Sequence, residues 1–146
     1  MRPCATTECC CSETPLQSME MLAARVRDAM QSAALVAMRE LLAPDARWGA
    51  PEQEVPTCRN ATEILAWYEM ARDNGIRADV TEAIVVGERI VIGLVIRANP
   101  GAANGPRDGE RWQVLCVDGG RVSEIRGYER RRDATSFAST GVSHWT

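Results

Sequence analysis

The apolar residues of this 146-residue chain change their spacing at Gly75, which divides the sequence into a helical first half and an extended second half. Beyond it, residues 78–86 and 89–98 are β-branched runs joined by Gly87 and Glu88, the length of a tight hairpin connection. Residues 110–117 and 121–130 repeat the arrangement around Asp118, Gly119 and Gly120, and the Gly- and Pro-rich stretch 99–109 between the hairpins reads as a loop. A chain that places helices first and strands afterwards folds as α+β, with helices gathered on a largely antiparallel sheet.

Within the helical half, Thr14, Pro15 and Gln17 form a helix start, with Met19, Leu22, Val26 and Met30 as its buried stripe. Leu35, Met38, Leu41 and Leu42 keep the helical period but slip in phase after Gln31, so a second helix is predicted with Ser32 as its cap. Pro44 and Asp45 end that helix, and residues 46–50 form a short strand closed by Pro51. Asn60 and Glu63 make a capping box for a third helix whose face carries Ile64, Trp67, Tyr68 and Ala71, stopped by Asn74 and Gly75. The expected order is helix, helix, strand, helix and four antiparallel strands, in one domain over residues 14–138 between flexible tails at 1–13 and 139–146. A length of 146 residues suits a single core.

Charge narrows the partners. A net charge of −3 and a pI near 5.3 give no field that would gather nucleic acid, and the run Arg130, Arg131 and Arg132 reads as a solvated strand end. No apolar run approaches the ~20 residues of a membrane helix, and residues 1–14 lack a signal-peptide core, so a cytoplasmic protein without membrane contact is expected. The strands are apolar on both faces: Ile90, Ile92, Leu94 and Ile96 oppose Val91 and Val95, and Trp112, Val114 and Cys116 oppose Leu115 and Val117. One face can pack on the three helices. The other needs a cover, and a second copy of the chain, making a homodimer, is the simplest candidate.

Three segments carry a family resemblance: Leu41-Leu42-Ala43-Pro44-Asp45-Ala46-Arg47-Trp48, Ile64-Leu65-Ala66-Trp67-Tyr68, and Gly120-Arg121-Val122-Ser123-Glu124-Ile125-Arg126-Gly127-Tyr128. Through them residues 16–138 resemble the nuclear transport factor 2-like superfamily, in particular its small SnoaL-like bacterial members. The resemblance implies a cone-shaped curved antiparallel sheet packed with three helices around a pocket, and dimers formed through the sheet. Its members include polyketide cyclases, a steroid isomerase, dehydratases, epoxide hydrolases and proteins without catalysis, so fold alone does not choose a reaction. The expectation is a small-molecule-binding protein of the lyase, isomerase or cyclase kind in secondary metabolism; the alternative is a non-catalytic dimerisation or partner-binding module.

In the cyclases that this chain resembles, an acid near the end of the last strand moves protons. Its place here falls at Arg130, with Glu129 beside it and Asp133 beyond, and arginine cannot accept a proton. The dehydratase type relies on histidine, and the sole histidine is His144 in the C-terminal tail. The two aspartates and arginine of the epoxide hydrolases would have to be Asp45, Asp79 and Arg97, which no local spacing unites. Better supported is a cavity lined by Trp48, Trp67, Tyr68, Trp112 and Tyr128, with Arg97, Glu110 and Arg126 as polar contacts, for a small apolar or aromatic ligand. Each ring taken singly is as well explained by an ordinary core. Cys4, Cys9, Cys10 and Cys11 lack the paired spacing of a zinc site and read as an unstructured cluster, while Cys58 and Cys116 read as core or near-surface residues; no cofactor or metal is expected.

Overall fold

The computed structural model describes residues 15–50, 55–97 and 109–141. Helix α1 (Pro15–Ser32) buries Met19, Leu22, Val26 and Met30, together with Ala23 and Ala29. Thr14, its expected cap, lies outside the described residues. Ala33, with φ 55°, then turns the chain through the left-handed region into α2 (Leu35–Leu41). Ser32 is not the cap of α2: its hydroxyl donates to the Asp28 carbonyl one turn back, and Ala34 holds the cap position without a side-chain bond. The helix also ends earlier than expected, because Leu42 opens strand β1 (Leu42–Gly49), which takes in Pro44 and Asp45. Proline fits there because β1 is an edge strand and its missing N–H leaves no ladder bond unmade.

Helix α3 (Ala61–Asp73) is closed at both ends as the sequence requires. Asn60 Oδ1 accepts from the Glu63 N–H at 2.9 Å, and Glu63 Oε1 accepts from the Arg59 N–H at 2.7 Å. At the other end the N–H groups of Gly75 and Ile76 donate back to the carbonyls of Arg72 and Ala71, with Gly75 at φ 79°. The four strands that follow are β2 (Arg77–Val86), β3 (Arg89–Arg97), β4 (Gly109–Asp118) and β5 (Arg121–Tyr128). The loop expected over residues 99–109 lies outside the described residues, except for Gly109, which begins β4.

The sheet order is β1-β5-β4-β3-β2, with β2 to β5 antiparallel. The expected antiparallel sheet is thus mixed: β1 runs parallel to β5, with Trp48 opposite Ile125. The physical reason is connectivity, since a helix and two hairpins separate β1 from β5 and a tight turn is not needed to join them. Register shifts between Val80 and Glu82 and between Cys116 and Val117 bend the sheet into its curve.

Helices α1 to α3 cover one face, where Ile90, Ile92, Leu94, Leu115, Val122 and Ile125 join the main core. The other face is covered by a fourth helix, α4 (Arg131–Thr140), which the sequence reading did not contain. Its Ala134 and Ala138 pack on Val91 and Val114, with Phe137, Trp112 and Tyr128 around them. Arg131 opens α4 instead of extending a strand, and its guanidinium forks onto Glu82 at 2.7 and 3.2 Å. The helix continues to Thr140, two residues past the boundary expected at 138. Val91 is fully buried within the single chain, so its apolar character does not call for a second copy. No helix among the described residues is long and apolar enough to cross a membrane.

Candidate functional site

Between the three helices and the concave face of the sheet lies a cavity of about 890 Å³, within the size range of small-molecule sites. Met30, Met38, Trp48, Tyr68, Leu94 and Ile96 give it a mainly apolar wall. Edge strand β1 brings Trp48 to this wall, and the Trp48 N–H and C=O pair with Cys58 at 3.0 and 2.9 Å, fixing the backbone that carries the ring. On α3, Trp67 and Tyr68 meet that ring: Tyr68 stacks on Trp48 at 5.8 Å between centroids, and Trp67 meets it edge-on at 4.5 Å.

Two polar atoms lie just behind this mainly apolar wall, on residues that line it. The Tyr68 hydroxyl and Gln113 Oε1 are both buried and neither has a hydrogen-bond partner among the described residues. Native folds leave few such atoms, because a buried unsatisfied group costs about 1–3 kcal/mol. Gln113 shares the cavity-facing side of β4 with Leu115, and only 8% of its surface is exposed. Burial pushes the Tyr68 phenol up to about 12, opposed by the amide of Gln113 nearby and reinforced by Cys58. The pair is therefore neutral at physiological pH: a phenol to donate and an amide oxygen to accept.

Of the rings expected in the cavity, Trp48, Trp67 and Tyr68 are brought together there. Trp112 and Tyr128 also reach the cavity wall, but their rings belong to the layer beneath α4, because alternation along β4 turns Trp112 to the side opposite Gln113. The three expected polar contacts are not in the cavity lining. Arg97 is held at the far edge by Asp79, at 2.6 Å, and Glu110 is exposed. Arg126 is 1% exposed on the α4 side of β5, bonded to Glu124 and stacked 4.7 Å from the Phe137 ring, because Ile125 takes the cavity face. Asp79 and Arg97 do pair, but Asp45 stands on β1 at the opposite edge of the sheet, so the aspartate–arginine set is not assembled.

Glu129, Arg130 and Asp133 all reach the cavity at its exposed rim, and neither acid makes an ion pair with another described residue. His144 and the cysteines at 4, 9, 10 and 11 lie outside the described residues, within which no His, Cys, Asp or Glu group could hold a metal. Cys58 is buried and Cys116 half-buried; burial raises both thiols, with Glu63 and Glu124 respectively adding to the rise, which keeps them from acting as ready thiolate nucleophiles.

A curved five-stranded sheet with helices closing its concave side around an apolar cavity defines the nuclear transport factor 2-like class of α+β proteins. Within that class the chain belongs to the SnoaL-like domain family, whose model matches residues 23–126. Similar solved structures include a candidate polyketide cyclase from Sinorhizobium meliloti, with 19% identity, TM-score 0.58, and 76% of this chain and 98% of that one covered. A candidate ketosteroid isomerase from Kribbella flavida has 18% identity and TM-score 0.62, with 79% of each chain covered. TerC, co-crystallised with polyporic acid, has 12% identity and TM-score 0.60 over 83% of this chain and 98% of its own. At these identities the likeness establishes the fold. No curated protein matches the chain.

Proposed function

We propose that the cavity binds a small, mainly apolar, ring-containing molecule through one hydroxyl group set between Tyr68 and Gln113. The observation that carries this reading is the pair of buried polar atoms, unpartnered among the described residues, just behind a mainly apolar wall. Turned toward the cavity, the two groups would be satisfied together by one ligand hydroxyl, which accepts from the Tyr68 O–H and donates to Gln113 Oε1. The stacked Trp48 and Tyr68 rings favour a flat aromatic body. The polyketide cyclase, ketosteroid isomerase and polyporic acid complex among the structural relatives support small-molecule chemistry for this reading. On a bound ligand, isomerase- or cyclase-type proton transfer would fall to Glu129, the rim acid beside the position that the resembling cyclases use. A second reading, binding without chemistry, is favoured by the solvent exposure of Glu129 and Asp133.

Calorimetric titration with 2-naphthol and with 2-methoxynaphthalene tests the reading. The expected result is saturable binding of 2-naphthol, at least about fivefold tighter than its methyl ether, which cannot donate to Gln113. At a hundredfold excess over its Kd, 2-naphthol should stabilise the fold by about 2.7 kcal/mol, visible as a rise in Tm. No saturable binding of either compound would count against a ligand cavity, and equal binding would remove the role of the polar pair.

A further inference from the structure

Among the described residues, the rim of the cavity carries the opposite sign of charge from the chain as a whole. The chain has a net charge of −3, whereas the described charged residues lining the cavity are four arginines, Arg72, Arg77, Arg111 and Arg130, against two acids, Glu129 and Asp133. Arg77, Arg111 and Arg130 make no ion pair among the described residues. Among the described residues Arg72 is drawn only to its neighbour Asp73, at 3.7 Å. Arg111 Nη1 donates to the Glu110 carbonyl at 2.8 Å and lies over Gly109, where a Cβ would stand 3.2 Å from it, so the glycine leaves the guanidinium its room. Glu129 follows Tyr128, which pairs with Trp112, and is the rim acid nearest in register to Arg111, yet the two form no ion pair.

Arg111 and Gln113 are two residues apart on β4 and face the same side, about 7 Å apart along the strand. Gln113 is buried at the inner end of that span and Arg111 is exposed at the mouth. A guanidinium takes a carboxylate through two parallel hydrogen bonds, and a positive mouth above an apolar wall concentrates anions. We infer that the cavity selects a ringed carboxylate, an aromatic body with its hydroxyl at Tyr68 and Gln113 and its carboxylate at Arg111 and Arg130. This inference rests on the cavity being a ligand site and adds the charge of the ligand.

The test compares 6-hydroxy-2-naphthoate with the neutral 6-hydroxy-2-naphthamide by calorimetry on the full chain. In ~20 mM salt the carboxylate should bind at least about tenfold tighter, and the advantage should shrink toward parity in ~0.5 M salt. Arg111→Gln combined with Arg130→Gln should remove the advantage and leave the affinity for the amide within about twofold, with Tm nearly unchanged because both side chains are exposed. If the amide binds as tightly as the carboxylate, selection of an anion is overturned while the cavity reading stands. Preference retained in the double variant overturns the assignment to these two arginines. Binding of neither compound at millimolar concentration overturns the cavity reading and this inference with it.

Discussion

Glu124→Ala is expected to lower the unfolding free energy by about 3–5 kcal/mol, a large part of the ~5–15 kcal/mol that holds a domain of this size together. Glu124 and Arg126 are 3% and 1% exposed, on neighbouring outward positions of β5 beneath α4. Arg47 on β1 approaches the same carboxylate at 3.7 Å. Removing it leaves the Arg126 guanidinium buried without the anion to which it is bonded, and a charge in such a place has no water to replace the loss. The change should also loosen α4, because the guanidiniums of Arg126 and Arg89 both lie over the Phe137 ring, at 4.7 and 4.4 Å, while Arg89 also donates to the Phe137 carbonyl. Urea titration is the measurement, with a lower midpoint at unchanged slope as the expected outcome. The double change Glu124→Leu with Arg126→Met should recover most of the loss, since a buried pair replaced by apolar groups of like volume is often neutral. A Glu124→Ala variant within ~1 kcal/mol of the parent would show that the pair contributes little to holding α4.

The elements of this fold that follow one periodic signal were legible in the sequence. The stripe of α1, the caps of α3 and both hairpins stand where spacing and turn residues place them. What was not legible depended on contacts distant in sequence. Strand β1 pairs in parallel with β5, so neither its start at Leu42 nor its direction has a local cause. Helix α4 did have a local signal, the spacing of Ala134, Phe137 and Ala138, but two alanines and one ring make a weak stripe, and the run of arginines before it reads as the end of a strand. Missing α4 left Val91 and Val114 without a cover and made a second chain appear necessary. The same alternation that assigned apolar residues to two faces puts Gln113, two residues before Leu115, on the core side, a signal that the sequence reading did not use. Aromatic residues drew the reading toward Trp112 and Tyr128, whereas the informative residue was a polar one on an apolar face.

Changing Tyr68→Phe and Gln113→Leu together should move stability and ligand binding in opposite directions. Each substitution removes a buried polar atom that no other described residue bonds, so the double variant should be more stable than the parent by about 1–3 kcal/mol. The same atoms are the two that a ligand hydroxyl would satisfy. Losing two hydrogen bonds worth ~0.5–1.5 kcal/mol each should weaken 2-naphthol binding by about 5- to 150-fold, while 2-methoxynaphthalene loses less. Alkaline titration supplies a second readout of the same phenol. An unfolded tyrosine releases its proton near pH 10, whereas Tyr68 in the fold holds its proton to about 12. Over that interval the folded chain binds the extra proton, so stability falls as pH rises from ~10 toward ~12, and Tyr68→Phe should flatten that part of the fall. Residues that merely fill a core behave differently: trimming them costs stability as well as binding. A double variant that is both less stable and unaltered in its affinity for 2-naphthol would assign Tyr68 and Gln113 to the core, and the cavity would lose its polar anchor.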